Sequence, residues 1–407
     1  MCNAERDMRI IILNWSDGEN DPFSYFNQQF RQQLVDLGHE VHLVPLNALL
    51  SSTLHLIQAA APIDLVLTWQ GLGSMTSDAP NGPTLWEQLG IPLVCLHGDH
   101  PCYNPVNHQP SSHHVMHLYT VSAFARDANR LIPRQWPALF EEIPSFFVAP
   151  AAAPEFQGDY FILPKNLTDV VETRRRWKHS CDAATYRMLS AGADAIEQAY
   201  RNGNDRDHHE VILDTLASPM PKTVRSGRAN GKIVDLVFQL SRELDQVHRN
   251  FASAFVLDAL PDVPIRVYGR GWERFASRGN PQHTFHPFDR LAQGDWQYHS
   301  AFGIIDIAPH RSSLHDRTLR AMRHGAGFLI SSSWRRDEPI HQEFAGLFFA
   351  GDANALAAKV DAVRNDPAAH RARVQLFASV FDALFSMEAF MARVRHHAAE
   401  RGFMLPA

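Results

Sequence analysis

The sequence holds little cysteine: Cys2, Cys95, Cys102 and Cys181 are the only four in 407 residues, and none shares a CxxC spacing. That scarcity excludes a disulfide framework and implies reduced thiols in a cytoplasmic protein. Long apolar runs are also missing, since no stretch reaches the roughly 18 residues that a membrane-spanning helix requires. The apolar run near the N-terminus is too short for a signal-peptide core with its small-residue cleavage site, so no membrane span or export is expected. There is no excess of positive charge, with 38 Lys plus Arg against 44 Asp plus Glu and a formal net charge of -6. A general nucleic-acid binder is therefore not expected, and any phosphate recognition must be local. The GxGxxG fingerprint is absent as well; the loop after the first apolar run reads NWSDGEND, which argues against an NAD or FAD enzyme. No internal repeat or low-complexity tract occurs.

What is present suits packed cores: 45% of residues are hydrophobic and 20% charged. A chain of 407 residues exceeds the size, about 250–300 residues, at which single cores stop growing, so two domains are expected. In the first 155 residues strands are predicted at 8–13, 41–44, 64–68, 93–96 and 118–121. Between and after them helices are predicted at 22–37, 49–60 and 84–89, with a further one capped by Ser122. Short strands alternating with helices give a doubly wound parallel sheet, in which ligands bind beyond the carboxyl ends of the strands. The loops that matter are then 14–21, with Ser16 and Asp17, 69–74, with Gly71 and Gly73, and 97–103. In the last of these His97, Asp99 and His100 precede Pro101. An Asp beside a His at a strand end suits a general base, and a polar turn with Asp99 bonded to local N–H groups is the plain alternative.

Six of the 23 histidines, His97, His100, His108, His113, His114 and His117, fall in this region. Their spacing matches no ligand pattern such as HExxH and few carboxylates accompany them, so no metal is expected; a histidine-cluster, metal-dependent hydrolase stays open as an alternative. The stretch 104–112 reads as a long surface loop able to cover an acceptor site.

From 167 to 260 the periodicity is almost entirely helical, with a polar break at 202–209 and a linker at 217–232. The run Arg174, Arg175, Arg176 and Lys178 reads as one solvated helical face. A strand at 265–268 ends on Gly269, Arg270, Gly271 and Trp272, where either a phosphate or ribose lies against the backbone or a tight turn suffices. Another strand is predicted at 283–286. The stretch 301–331 then reads as strand (303–308), loop, helix (314–324) and strand, with Ser313 and Asp316 at capping-box spacing. His315 and Arg317 lie in the first helical turn, where cations oppose the helix dipole unless an anion is seated there. The alternative is a surface Arg317 paired with Asp316 or Asp306. A last strand is predicted at 346–349, and helices at 353–363 with an Asp352 cap, 368–385 and 387–401.

Ile305-Asp306-Ile307-Ala308-Pro309, His315-Asp316-Arg317 and Ala321-Met322-Arg323-His324-Gly325-Ala326 resemble the C-terminal domain of the CgeB-like, group 1-like glycosyltransferases of the GT-B class. Val267-Tyr268-Gly269-Arg270-Gly271-Trp272 looks like the "yGxGW" strand end of that family, and His97-Gly98-Asp99-His100-Pro101 is similar to its "D-x-P" element. The resemblance covers mainly 264–331. It implies two Rossmann-like domains facing a cleft, a nucleotide-sugar substrate held by the C-terminal domain, and neither cofactor nor obligatory metal; the helical period at 167–260 adds a helical insertion between the two domains. Carried over, it sets Gly269, Arg270 and Gly271 by the donor nucleotide and His315, Asp316 and Arg317 by its diphosphate and sugar. Asp99 or His100 would deprotonate an unidentified acceptor, and a non-catalytic nucleotide-sugar-binding protein is the alternative. The implied segments are 1–155, the insertion and linker at 156–232, the donor domain at 233–385, and a C-terminal helix at 386–407. The chain departs from the family in its block at 167–260, which stands where the donor domain's first strand is expected, and in lacking an acidic residue near the second-domain helix.

Overall fold

Short, mostly apolar runs of two to six residues, separated by segments of helical period, pair as parallel strands in two separate sheets of the computed structural model. It describes residues 7–15, 22–46, 55, 57–59, 62–77, 82–109, 112–145, 158–202, 208–217, 231–287, 301–349 without 309 and 311, and 353–406. Ser16 and Asp17 lie outside the described residues, as do Asp352 and much of the helix expected at 49–60. The chain divides into two compact units, one of 1–146 with 381–407 and one of 147–380. The helical block thus falls in the second unit, and the C-terminal helix in the first.

In the first unit β1 (Arg9–Asn14), β2 (Glu40–Pro45), β3 (Leu65–Trp69), β4 (Leu93–His97), β5 (Val115–Tyr119) and β6 (Leu139–Phe140) run parallel in the order β2-β1-β3-β4-β5-β6. β3, β4 and β5 are buried along their whole length, as expected of strands covered on both faces. β5 begins three residues before the start expected for it. The helix Ser122–Leu131 follows, but its cap position is Val121 and Ser122 already lies inside it, so no side chain caps it. Helix Leu85–Leu89 does carry a full capping box, with Thr84 and Glu87 bonded reciprocally to each other's backbone N–H.

The second sheet contains β7 (Phe161–Pro164), β8 (Ile265–Tyr268), β9 (His283–His286), β10 (Gly303–Asp306) and β11 (Phe328–Ile330), all parallel in the order β11-β10-β7-β8-β9. This is the dinucleotide-fold order 3-2-1-4-5 read from the other edge. β7 corrects the expectation that the helical block displaces the first strand. The strand is present just ahead of the block, as an apolar Tyr160-Phe161-Ile162-Leu163 run closed by Pro164, and it occupies the sheet centre. The block itself comprises helices Val170–Ser180, Ala183–Arg201, His208–Ala217 and Gly231–Ala259, packed around Trp177, Leu189, Ile196, Ile212, Leu244 and Val247. Its basic run is a solvated face in which Arg174 pairs with Asp194, Arg175 with Glu172 and Arg176 with Glu243. The strand expected at 346–349 is a 3₁₀ turn, Ala345–Leu347, followed by one bridge from Phe348 to Ile330.

Helix Met387–Glu400 docks on the first unit through the buried Glu141, whose carboxylate accepts from Arg393 Nε and, at 2.7 Å, from His397 Nε2. The hydrogen bond to Glu141 raises the His397 pKa. Burial raises that of Glu141, but the His397 bond and the Arg393 charge outweigh it and leave the carboxyl below its ordinary value. The His397 contribution is complete below the unfolded value near 6.5 and fades as pH rises through the folded one; that of Glu141 holds above about 4.5 and fades as pH falls. Glu141→Gln should therefore cost about 1.5–3 kcal/mol near pH 6 and measurably less at pH 9, read by urea unfolding at the two pH values.

Candidate functional site

In a doubly wound sheet the crevice forms where the chain reverses its direction of strand addition. In the second sheet that point lies between β7 and β10. β10 ends on Asp306 and β7 is followed at once by Lys165, so both side chains stand at the reversal.

Asp306 is wholly buried and organises the loop beyond it. Arg317 Nε donates to its Oδ1 at 2.9 Å, Thr318 Oγ1 donates to Oδ2 at 2.8 Å, and His315 Nδ1 lies 3.5 Å from the same oxygen. Burial raises the Asp306 carboxyl, but the charges of Arg317 and His315 and the bonds from His315 and Thr318 overcome it, leaving the group ionised far below its usual range. Arg317 also donates to the Ile307 carbonyl at 3.2 Å. Of the two readings of Arg317, pairing with Asp306 is the observed one, but at 17% side-chain exposure the residue is no surface arginine.

The helix that follows is Asp316–Arg323, capped by His315 rather than entered at Leu314. Ser313 takes no part in a capping box, because its hydroxyl donates to the His310 carbonyl at 3.0 Å. His315 Nδ1 accepts from the Arg317 N–H at 3.3 Å and lies 2.7 Å from Asp316 Oδ1. His315 is therefore bracketed by Asp306 and Asp316.

Three residues of this site went unread in the sequence: Lys165, Asp245 and Arg249. Lys165 is 8% exposed, and its ammonium is pushed well below the ordinary lysine value by burial first and then by Arg317 and Arg249, with only Asp306 and Asp245 opposing. Asp245 and Arg249 sit one turn apart on helix Gly231–Ala259, with Arg249 Nε donating to Asp245 Oδ2 at 2.7 Å, and Asn250 beside them accepts from the Thr168 N–H. The signal was available as Asp245 and Arg249 at i, i+4 spacing on a helix whose apolar period is otherwise clear.

The glycines after β8 have a simpler explanation than a ligand. A Cβ on Gly269 would fall 2.0 Å from the Lys165 carbonyl oxygen, and one on Gly271 (φ +85°) would fall 2.0 Å from that of Leu167. The chain's own segment at 165–167 fills the space beside them, pinned by Trp272 Nε1 donating to the Lys165 carbonyl at 2.7 Å. Arg270 is exposed, and its backbone N–H donates to Asn166 Oδ1. These glycines therefore shape the Lys165 loop, and the tight-turn alternative is the one observed.

In the first sheet the reversal lies between β1 and β3. Gln70, immediately after β3, adopts a left-handed φ of +53°, unusual for a residue with a side chain, and donates from Nε2 to Asp99 Oδ2 at 3.0 Å. Gly71 and Gly73 follow with φ of +65° and +77°; a Cβ on Gly71 would meet the Asn107 carbonyl oxygen at 2.4 Å. Asp99 is half-buried at this end of the sheet. His100 is buried with both ring nitrogens engaged, Nδ1 accepting from the Cys102 N–H at 3.2 Å and Nε2 facing Asp127 at 3.3 Å. Both ring nitrogens of His100 are thus engaged, while Asp99 accepts from Gln70 Nε2. His97 and His117 are buried in the sheet, and His108, equally buried, sits on the 3₁₀ helix Pro105–His108 within the stretch expected to be a surface loop.

No protein-family profile and no curated protein matches this sequence. Solved structures do. An alpha-glucosyltransferase in complex with UDP and a 13-mer DNA containing an HMU base aligns with a TM-score of 0.55 at 10% identity, over 97% of this chain and 100% of that one. The DNA modifying enzyme beta-glucosyltransferase aligns at 0.53 and 9% identity over 96% and 99%, and T4 phage BGT with its UDP-glucose substrate at 0.52 and 10% over the same shares. The chain has the two-sheet α/β fold of the GT-B glycosyltransferases. Two of these neighbours have DNA in their descriptions, so the expectation that nucleic acid is excluded finds no support in them. Among the described residues no helix is long and apolar enough to cross a membrane.

Removing the carboxylate on which the loop is built strands a buried guanidinium. Asp306→Ala should lose about 3–5 kcal/mol of stability, measured by denaturant unfolding. The deficit against wild type should shrink as pH falls toward the folded-state value of the carboxyl, because its contribution holds above the unfolded value and is lost below the folded one.

Proposed function

We propose that the second unit binds the diphosphate of a nucleotide sugar where β7 and β10 diverge, and that the protein transfers the sugar to an acceptor nucleophile. The observation that carries this is Lys165, buried where β7 ends at the sheet reversal, with its charged form disfavoured by burial, Arg317 and Arg249 more than Asp306 and Asp245 favour it. An anion seated there offsets the excess charge and restores the lysine's ordinary protonation. The sequence motifs of a CgeB-like transferase support the same reading, as do the UDP and UDP-glucose complexes among the structures of similar fold.

The chemistry follows from charge. As the bond from the anomeric carbon to the donor phosphate oxygen breaks, negative charge develops on the departing diphosphate, and Lys165, Arg317 and the start of helix Asp316–Arg323 stabilise it. The acceptor oxygen or other nucleophile forms the new bond to that carbon. In an inverting reaction it gives its proton to Asp99, which Gln70 orients. We assign neither a cofactor nor a metal to this step, and the reduced thiols support a cytoplasmic setting.

Calorimetric titration with a panel of nucleotide sugars, UDP-sugars first, tests the donor site with and without divalent metal. Lys165→Met should weaken the best donor at least tenfold, roughly the worth of one charge-assisted hydrogen bond, and unchanged affinity would sink the assignment. Asp99→Asn should keep donor affinity and lower turnover by about 10²-fold or more, with hydroxyl acceptors and modified DNA among those assayed. Donor binding without transfer to any acceptor, or to water, would favour a binding protein.

A further inference from the structure

Strand register brings three metal-ligating side chains onto one face of the first sheet. Cys95 and His97 are alternate residues of β4, and His117 of β5 stands across from Cys95. One ligand atom from each, a sulfur and two imidazole nitrogens, lies within 4.8 Å of the other two, and all three residues are buried. His97 Nε2 approaches His117 Nδ1 at 2.8 Å.

A second observation concerns unmet hydrogen-bonding demand. His97 Nδ1 is buried with no hydrogen-bond partner, and so is Nε2 of His108, whose ring centroid stands 4.1 Å from that of His97. His108 is oriented through its other nitrogen, Nδ1, at 2.6 Å from the Tyr119 hydroxyl. Leaving such groups unsatisfied costs roughly 1–3 kcal/mol each, so two lone nitrogens beside a thiol are an expensive way to fill a core.

We propose that Cys95, His97 and His117 hold a zinc-class divalent ion that ties β4 to β5. A sulfur with two imidazoles suits zinc, which takes nitrogen at about 2.0–2.1 Å and sulfur at about 2.3 Å. Ligand atoms must then stand roughly 3–4 Å apart, against the 4.8 Å within which all three now lie. On binding, the Cys95 thiol gives its proton to solvent and the sulfur–metal bond takes its place, lowering the ion's net charge from +2 to +1. That reduction matters because Arg134 lies close enough to act on Cys95, His97 and His108. The three protein ligands leave one position of a tetrahedral ion, and His108 carries the second unpartnered nitrogen of the cluster. The ion is structural and independent of donor binding.

The test uses the whole protein, refolded from metal-free denaturant with zinc or cobalt and then desalted, with His396→Ala removing the surface His396, His397 and Glu400 group. Elemental analysis should find about one ion per chain, and zinc should raise the melting temperature by several degrees. The cobalt form should show thiolate-to-metal charge transfer in the near ultraviolet. Cys95→Ser should abolish that band, and a Cys2→Ser, Cys102→Ser, Cys181→Ser variant, keeping Cys95 alone, should retain it. A wild type that takes up no ion, a band that survives Cys95→Ser, or a band lost from the variant with Cys95 alone would overturn the proposal.

Discussion

A carboxylate buried at the end of a strand must be neutralised where it stands, and the chain after β10 is arranged to do this for Asp306. Arg317 and Thr318 bond its two oxygens, and His315 closes on it from the helix cap. These three contacts fix where the helix begins, which way its N-terminus points and how much of Arg317 reaches solvent. Such a pair adds little net stability, because desolvating two ions costs nearly what their attraction returns. Its effect is on position: a guanidinium locked to Asp306 and to the Ile307 carbonyl cannot wander from the sheet reversal.

The same economy governs the other side of the site. Lys165 is held at the end of β7 because the glycines after β8 let two backbones pass at a distance that no Cβ would tolerate. Helix Gly231–Ala259 then brings Asp245 and Arg249 against it, so that the helical block contributes charge to the site as well as mass to the unit. Glycine, aromatic and lysine thus form one device. Trp272 holds the Lys165 carbonyl, Gly269 and Gly271 admit the loop, and the lysine's ammonium is left among arginines.

Much of this was legible in the sequence, for reasons that differ by element. Strands such as β1, β4 and β10 declare themselves because each is a continuous apolar run at a clear boundary. The pairing of Arg317 with Asp306 was one of two readings open, since the two lie in one short strand-loop-helix unit. β7 was hidden by its length, four residues between an alanine and proline stretch and a helical block, with all of its strand partners about a hundred or more residues downstream. Lys165 followed it into obscurity, because its neighbours Arg249, Asp245 and Arg317 are local only once the sheet exists. The surroundings of His100 were hidden for a related reason: sequence adjacency to Asp99 suggests a shared task, whereas folding turns the ring inward to Asp127 and the Cys102 N–H.

The long excursion between β7 and β8 also has a bearing on how the unit assembles. Phe161 pairs with Ile265, so the central contact of the sheet closes a loop of about a hundred residues before any neighbouring strand can add to it. Closure entropy rises only with the logarithm of loop length, yet non-local pairing still sets the pace at which such sheets form. Four helices that pack on one another through local contacts shorten the gap before it is closed. The block therefore spans most of that loop with contacts that are local in sequence, in a region where the sequence order begins with a strand.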